Sequence, residues 1–220
     1  MIRFLGVASL LAWTLQSTVA PSSTASAEPC PDVQALFARG TDEAPGLGDT
    51  GQAFVTALRS KIGTKSLEVY PVNYPATNDW PTGVDGIRDA TDHIQSTAAA
   101  CPKTKMVLGG YSQGAAVMGF VTADTIPDGS DAANVPRPMP PEVADHVAAV
   151  VLLGTPNDRA MNFLGQPPVV IGPLYANRTI QLCAPEDPIC SEGLNFSIHN
   201  PDSYDGVADE GAAYAANRLQ

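Results

Sequence analysis

The feature that most constrains this chain is a Gly-x-Ser-x-Gly turn that joins a short apolar run to an alanine-rich stretch. The apolar run covers residues 106–109, the turn residues 110–114, and the alanine-rich stretch residues 115–123. A strand that turns sharply into a helix at a serine needs small residues two positions either side, because strand and helix approach closely there. The pattern predicts a nucleophilic Ser112 at the positive end of a helix. An ordinary turn with Ser112 as a helix cap is the alternative.

Apolar runs alternate with amphipathic stretches along the whole chain. Continuous apolar runs are typical of strands buried on both faces of a sheet. The sequence predicts such strands at residues 33–37, 67–72, 106–109, 146–153 and 178–182. Helical spacing or alanine-rich composition predicts helices at residues 51–61, 83–100, 115–123 and 206–219. We therefore predict an α/β fold, a three-layer α/β/α sandwich with a central, mostly parallel five-stranded sheet.

Composition supports one globular domain and excludes some functions. The chain has 220 residues, of which 44% are hydrophobic and 16% charged, so it can build a sizeable core and is not a disordered chain. Its formal net charge of −11 repels phosphates, so we expect no nucleic-acid partner. Residues 126–142 and 156–173 are rich in Pro and Gly and are predicted to be irregular. Neither is a linker that divides the chain, so residues 28–220 form one predicted domain.

The first 27 residues are typical of an export signal that is cleaved from the mature protein. Arg3 provides a positive start, residues 4–15 are apolar, and Ala25-Ser26-Ala27 is a small-residue cleavage pattern. We expect cleavage before Glu28 and a secreted protein, extracellular or associated with the cell wall. A membrane anchor is the alternative, but about 12 apolar residues are too few to span a bilayer. We expect no transmembrane segment.

Four cysteines follow the predicted signal, at Cys30, Cys101, Cys183 and Cys190. An even number of cysteines in an exported chain predicts two disulfides, and three pairings are possible in principle. The short separation of Cys183 and Cys190 favours their pairing, which leaves Cys30 with Cys101. No Cys-x-x-Cys pair and no histidine at ligand spacing accompanies them, so we expect no metal site.

A nucleophilic serine needs a base, and the chain offers three histidines for this role. His93 falls in a predicted helix before Ser112, and His146 opens a predicted strand, so both are interpreted as structural. His199 lies on a loop before the last helix. Folds with this type of turn place their partners in the order Ser, Asp or Glu, His, and His199 fits that order.

The acid that orients the base is expected between Ser112 and His199, just after a strand. Asp187 follows the last predicted strand and lies between Cys183 and Cys190, with Glu186 as the adjacent competitor. Backbone N–H groups that stabilise an oxyanion are expected at the residue after the nucleophile and on an early loop. These positions are Gln113 and Thr41.

Three segments carry a family resemblance. They are Phe37-Ala38-Arg39-Gly40-Thr41, Gly109-Gly110-Tyr111-Ser112-Gln113-Gly114-Ala115 and Cys183-Ala184-Pro185-Glu186-Asp187-Pro188-Ile189-Cys190. Through them, and over most of residues 30–219, the chain resembles the cutinase family, specifically the cutinase-like esterases secreted by mycobacteria and their relatives. The match implies hydrolysis of carboxylic esters through an acyl-enzyme, without cofactor or metal.

The resemblance also implies a role for each matching residue. It implies Ser112 as nucleophile, His199 as base and Asp187 as its partner, with Thr41 and Gln113 forming the oxyanion hole. It implies the pairs Cys30–Cys101 and Cys183–Cys190. The chain departs from fungal members, which usually carry Ser at the position of Thr41, and its loops at residues 126–142 and 156–173 are less typical. Activity on plant cutin is therefore not carried over.

The connection between the fourth and fifth strands is too short for a large lid, so we expect an open site. We also expect a monomer. Such a site suits short or medium acyl esters, lipids or polyesters. Four apolar residues of that connection either line an acyl groove or pack their own loop: Phe163, Leu164, Val169 and Val170. A carbohydrate-directed esterase such as a xylan deacetylase, a phospholipase or envelope lipid esterase, and an inactive secreted antigen or binding protein are the alternatives.

Overall fold

The structure is a computed structural model that describes residues 29–127 and 134–220. The predicted export signal and its cleavage site lie outside the described residues. Part of the predicted loop at residues 126–142 also lies outside them, and its described part enters a 3₁₀ helix at Pro141–His146.

Five β-strands form a single sheet in the described part of the chain. They are β1 (Val33–Ala38), β2 (Leu67–Pro71), β3 (Lys105–Tyr111), β4 (Val147–Leu153) and β5 (Thr179–Leu182). The strand order is β2-β1-β3-β4-β5, and each neighbouring pair is parallel. The predicted five-stranded parallel sheet is therefore confirmed. The central strands β1, β3 and β4 are almost wholly buried, which explains their continuous apolar sequences.

Helices cover both faces of the sheet. They are α1 (Gly48–Lys61), α2 (Gly83–Ala100), α3 (Gln113–Val121), α4 (Asp158–Phe163), α5 (Pro173–Ala176) and α6 (Asp205–Arg218). Alternate residues of a strand face opposite sides, so neighbouring β3 residues enter different cores. Leu108 packs in the core under α2 and α3, and Val107 packs in the core under α1 and α6. The three-layer sandwich is confirmed.

The prediction that residues 156–173 are irregular is wrong at α4. The Asn157 side chain accepts a hydrogen bond from the Ala160 N–H at 2.9 Å and so caps the helix, and Met161 is the residue of the helix that is buried. The Pro and Gly residues that follow dominate the local composition and hide this short helix. Helix α1 also begins three residues earlier than predicted, at Gly48.

Two disulfides join Cys30 to Cys101 and Cys183 to Cys190, as predicted. The first ties the segment before β1 to the end of α2. The second closes a short loop directly after β5. Among the described residues, no helix is long and apolar enough to cross a membrane.

The parallel arrangement brings several loops to one edge of the sheet. The carboxyl ends of parallel strands point the same way, so the chain leaves β1, β3, β4 and β5 at a common edge. Three of these exits carry predicted site residues: Thr41 after β1, Ser112 after β3 and Asp187 after β5. The topology therefore gathers residues that are distant in sequence.

Candidate active site

Ser112 occupies a strained position between β3 and α3. Its backbone has φ 52° and ψ −117°, a conformation that side-chain-bearing residues rarely adopt. The flanking glycines make the turn possible. A Cβ atom on Gly110 would lie 2.3 Å from the Gly114 carbonyl oxygen, and one on Gly114 would lie 1.9 Å from the Ala38 carbonyl oxygen. Neither position can hold a side chain, so the Gly-x-Ser-x-Gly pattern is a steric requirement here.

A continuous chain of hydrogen bonds links the three residues predicted as nucleophile, base and acid. The Ser112 Oγ lies 2.7 Å from Nε2 of His199, and the His199 Nδ1 lies 2.6 Å from Oδ2 of Asp187. The side chain of Asp187 is fully buried, whereas that of His199 keeps 17% exposure. The imidazole therefore bridges a buried carboxylate and a hydroxyl, with its edge open to an incoming molecule.

The Asp187 carboxylate accepts two further hydrogen bonds. The backbone N–H of Ile189 donates to its Oδ1 at 2.9 Å, and the hydroxyl of Tyr204 donates to its Oδ2 at 2.6 Å. Sequence reasoning missed Tyr204. One feature of the sequence could have indicated it. Tyr204 is a large aromatic residue five positions after His199, directly before a helix whose buried residues are small.

Aromatic rings support the imidazole. The ring of Tyr111 stacks on His199 with centroids 5.3 Å apart, and the ring of Tyr204 meets His199 edge-on at 6.0 Å. Burial raises the pKa of the Tyr111 hydroxyl, and the nearby Asp187 charge raises it further, so this ring stays neutral beside the histidine. The stacked, uncharged ring limits the orientations open to the imidazole.

The loop after β1 lies against the turn at Ser112. A Cβ on Gly40 would lie 2.8 Å from the Tyr111 ring, which shows how closely this loop packs on the turn. Thr41 is on this loop, and Gln113 is the first residue of α3, where a backbone N–H has no partner within the helix. The two predicted oxyanion donors are therefore carried by adjoining segments.

Side chains hold this loop in place. The Glu43 carboxylate accepts hydrogen bonds from the backbone N–H groups of Gly40 and Asp49. The Arg39 guanidinium donates to carbonyl oxygens of Glu43, Tyr74 and Pro75, and the Tyr74 hydroxyl donates to the Arg39 carbonyl. The Gln113 side chain donates to the Thr77 carbonyl oxygen at 2.9 Å. Sequence reasoning identified Arg39 only as part of a motif and missed Glu43.

The other candidates for the acid and the base make no hydrogen bond to Ser112 or His199. Glu186 is exposed, and its backbone oxygen accepts a hydrogen bond from the Asn195 N–H. His93 lies on α2, with its Nε2 3.1 Å from Gln34 Oε1 and its ring stacked on Tyr70. His146 precedes β4, at the opposite edge of the sheet from Ser112. The structure therefore brings His199, and neither of the other two histidines, to Ser112.

A cleft of about 600 Å³ opens beside α3. Its apolar wall comes from the 3₁₀ turn before α2, from the start of α2 and from α3: Trp80, Val84, Ile87, Ala116, Val117 and Phe120. Gln113 also lines it, so the cleft approaches the turn that carries Ser112.

The four apolar residues named above as candidates for an acyl groove do not line this cleft. Phe163 is 89% exposed, and Val170 is also exposed. The Val169 side chain packs against Gly119 of α3, where a Cβ would lie 2.3 Å from its Cγ1. The alternative interpretation, in which these residues serve the packing of their own loop, fits Val169.

One cluster in the described chain resembles a metal site in composition only. Ligand atoms of Cys183, Asp187 and Cys190 lie within 4.8 Å of one another. The two cysteines are joined as a disulfide, so neither offers a thiolate. Asp187 is engaged by hydrogen-bond donors, and this cluster is therefore part of the serine site.

The sequence of residues 29–219 matches the family described as Cutinase. The probable carboxylesterase Culp5 of Mycobacterium tuberculosis is 61% identical over 166 residues, which cover 76% of this chain and 95% of that protein. Carboxylesterase Culp1 of the same species is 45% identical, with 100% of this chain and 96% of that protein covered. Phospholipase Culp4 of that species is 44% identical, with 96% and 89% covered.

Solved structures share the architecture. A Trichoderma reesei cutinase in complex with a phosphonate inhibitor has a TM-score of 0.63 and 31% identity, covering 87% of this chain and 78% of that one. An acetylxylan esterase solved at 0.90 Å resolution has a TM-score of 0.72 and 24% identity, covering 87% of this chain and 100% of that one. The latter likeness shows a common fold.

Proposed function

This chain belongs to the cutinase family and is a carboxylic ester hydrolase, and we propose that it works by acyl transfer through Ser112, His199 and Asp187. The observation that carries the proposal is the line of hydrogen bonds from Asp187 Oδ2 through the imidazole to Ser112 Oγ, at 2.6 and 2.7 Å. The distance between Ser112 Oγ and His199 Nε2 suits proton transfer, and the distance between His199 Nδ1 and Asp187 Oδ2 suits a hydrogen bond that orients the imidazole. The strained backbone at Ser112 supports the proposal, since such strain is typical of nucleophile turns.

In the proposed reaction, the Ser112 oxygen attacks the ester carbonyl while His199 Nε2 takes the hydroxyl proton. The imidazolium is stabilised by the buried Asp187 carboxylate, and it then gives its proton to the departing alcohol. A water molecule, deprotonated by the same nitrogen, attacks the acyl-enzyme, and the imidazolium returns the proton to Ser112 Oγ as the bond to the acyl group breaks and the acid leaves. His199 suits this role because it touches both partners while keeping an exposed edge.

The developing oxyanion needs preorganised donors, and we assign these to the backbone N–H groups of Thr41 and Gln113. One such donor contributes about 100- to 1,000-fold in rate in comparable sites. The hydrogen bonds from the Gly40 N–H to the Glu43 carboxylate and from the Gln113 side chain to the Thr77 carbonyl support a rigid hole, because they hold the two segments on which it is built.

The cleft beside α3 is the proposed site for the apolar part of the substrate. It begins near Gln113 and is walled by aliphatic and aromatic side chains, including Trp80 and Phe120. Its volume of about 600 Å³ accommodates a short or medium acyl chain. Only the short helices α4 and α5 connect β4 to β5, which supports a site without a large lid.

A lipid substrate is the second candidate. Leu194 and Phe196, on the loop that leads into His199, are 82% and 73% exposed. Exposed apolar residues beside an active site favour contact with an aggregated, apolar substrate. The similarity to a protein named phospholipase Culp4 agrees with this candidate.

We further propose that the protein is exported, with cleavage before Glu28, and acts as a monomer outside the cell or in its wall. Two disulfides support an oxidising compartment, since disulfides persist there. Chain-termini sequencing of the protein recovered from culture medium tests the cleavage position. Recovery only from the cytoplasm, with residues 1–27 intact, would overturn the export proposal.

The experiment that tests the function is hydrolysis of p-nitrophenyl esters of increasing acyl length by residues 28–220, beside the Ser112→Ala variant. We expect turnover to peak at short or medium chains and to vanish in the variant, with unchanged thermal stability. A peak at long chains would favour the lipid candidate. Substantial turnover by Ser112→Ala would overturn the proposed nucleophile. If neither protein hydrolyses these esters, labelling with a fluorophosphonate tests directly whether Ser112 is reactive.

A further inference from the structure

We propose that Tyr204 is a positioning residue of the active site, whose hydroxyl holds the Asp187 carboxylate in the orientation that engages His199. This inference rests on the proposed function, because it takes Asp187 as the partner of the catalytic base. Tyr204 does not touch the reacting atoms. Its effect on the reaction passes through Asp187.

The first support is the way in which Asp187 is bound. Its side chain is wholly removed from solvent, so its oxygens depend on protein donors. Among the described residues, Oδ1 accepts from the Ile189 backbone N–H, and Oδ2 accepts from both the His199 ring and the Tyr204 hydroxyl. Tyr204 is therefore the side-chain donor, other than the histidine itself, that acts on the oxygen facing His199.

The second support is the way in which Tyr204 is held. Its side chain is fully buried, and its ring packs against Tyr111 with centroids 4.8 Å apart. Space for its hydroxyl depends on Gly154, directly after β4, where a Cβ would lie 2.7 Å from the hydroxyl oxygen. Gly154 has φ +61°, which also favours glycine. The fold therefore places this hydroxyl with little freedom.

The third support is the direction of the hydrogen bond. Burial raises the pKa of the Tyr204 hydroxyl far above its ordinary value, and the hydrogen bond to Asp187 raises it further, so the hydroxyl keeps its proton. The Ala184 backbone N–H points at the hydroxyl oxygen from 3.4 Å. The hydroxyl therefore accepts from the Ala184 N–H and donates to Asp187, so it joins two residues of the same disulfide loop.

The chemical consequence follows from the shared oxygen. Oδ2 carries both hydrogen bonds, so loss of the hydroxyl leaves the carboxylate held on that side by His199 alone. A carboxylate free to rotate holds Nδ1 less firmly and stabilises the imidazolium less well. Substrate binding does not involve either group, so the effect falls on turnover.

The test is Tyr204→Phe, with Tyr175→Phe as the matched control. Tyr175 is also buried, and its hydroxyl has no hydrogen-bond partner in the described part of the chain. We expect Tyr204→Phe to lower kcat per labelled site about 10- to 100-fold with KM unchanged, as for loss of a hydrogen bond to a charged group. We expect Tyr175→Phe to stay within about twofold of the parent, as the loss of an unpaired hydroxyl predicts.

Counting sites with a fluorophosphonate separates positioning from folding. A purely structural role for Tyr204 would reduce the fraction of labelled protein and leave kcat per labelled site unchanged, which would overturn the proposal. Equal kcat in Tyr204→Phe and the parent would overturn it as well.

A double-variant cycle tests the route through Asp187. In an Asp187→Ala background, Tyr204→Phe should have no further effect, because the acceptor is gone. The same fold-loss in both backgrounds would contradict the inference. The Ser112→Ala variant separates failure of the proposed function from failure of this inference. An active Ser112→Ala enzyme would contradict the proposed function. An inactive Ser112→Ala enzyme beside a fully active Tyr204→Phe enzyme would contradict only the role of Tyr204.

Discussion

Asp187 and Glu186 are neighbours in the chain but face opposite surroundings. Asp187 is fully buried and lies 2.6 Å from the His199 ring, whereas Glu186 is exposed and has a positive φ of 66°. The left-handed conformation at Glu186 turns the chain within the short loop closed by Cys183 and Cys190. Two adjacent carboxylates therefore differ in burial and in contacts because the backbone turns between them.

This contrast predicts opposite results for two similar substitutions. Asp187→Asn keeps the shape but removes the charge that stabilises the imidazolium, so we expect kcat on p-nitrophenyl butyrate to fall about 1,000- to 10,000-fold. Glu186→Gln, the matched control, should stay within about twofold, because the side chain is solvated. Comparable losses in the two variants would contradict the assignment of Asp187.

A second prediction concerns the loop that carries Thr41. The Glu43 carboxylate uses both oxygens, one on the Gly40 N–H and one on the Asp49 N–H. An amide has a single acceptor oxygen, so Glu43→Gln loses one bond and loosens the loop. We expect kcat to fall about tenfold, the effect of one lost hydrogen bond. The exposed Glu142→Gln variant is the control, and equal kcat in both variants would show that Glu43 does not support the oxyanion hole.

Much of this architecture follows from local sequence. The strands were predictable because burial on both faces produces continuous apolar runs, as in β4. The proximity of Ser112, Asp187 and His199 was predictable because each lies in a recognisable pattern after or between the predicted elements. The hydrogen bond from Tyr204 to Asp187 was not, because it depends on how the entry to α6 packs under β4 and β5. The cleft wall was also missed, since it is assembled from segments that are far apart in the sequence.

A third prediction tests whether the turn at Ser112 requires glycine at position 114. A Cβ on Gly114 would lie 1.9 Å from the Ala38 carbonyl oxygen, and backbone cannot move aside as a flexible side chain can. We expect Gly114→Ala to lose soluble, folded protein or to lower the melting temperature by about 10 °C or more. Gly206→Ala is the control, because a Cβ at that helical position meets no heavy atom within 4 Å. Alanine should leave its stability unchanged or raise it by up to about 1 kcal/mol.

A fourth prediction concerns pH and stability. Burial lowers the pKa of His93 from 6.5, and the charges of Glu68 and Asp89 offset this only in part. The unfolded chain therefore binds a proton at this histidine more readily than the folded chain does. As the pH falls below 6.5, this difference lowers the free energy of unfolding. We expect the parent to lose more thermal stability than His93→Gln between pH 7 and pH 5. The other two histidines are present in both proteins, so equal pH dependence would contradict the prediction.

The last prediction separates contact with a lipid surface from the chemistry at Ser112. Leu194 and Phe196 are exposed on the loop before His199, so they can enter an apolar surface while the imidazole stays in place. Replacing both by Ser removes apolar area that such a surface would bury, at about 25 cal/mol per Å². We expect hydrolysis of an emulsified triacylglycerol to fall about tenfold, and soluble p-nitrophenyl acetate to be cleaved within about twofold of the parent rate.

The matched control for that variant is Leu174→Ser. Leu174 is also an exposed apolar residue, but it lies on α5, just before β5 and thus toward the edge of the sheet opposite Ser112. A general loss of surface hydrophobicity would affect emulsion activity in both variants equally. A loss confined to the Leu194 and Phe196 variant ties the effect to the rim of the active site. An equal loss on the emulsion and on the soluble ester would instead mean that the loop positions His199 and does not contact lipid.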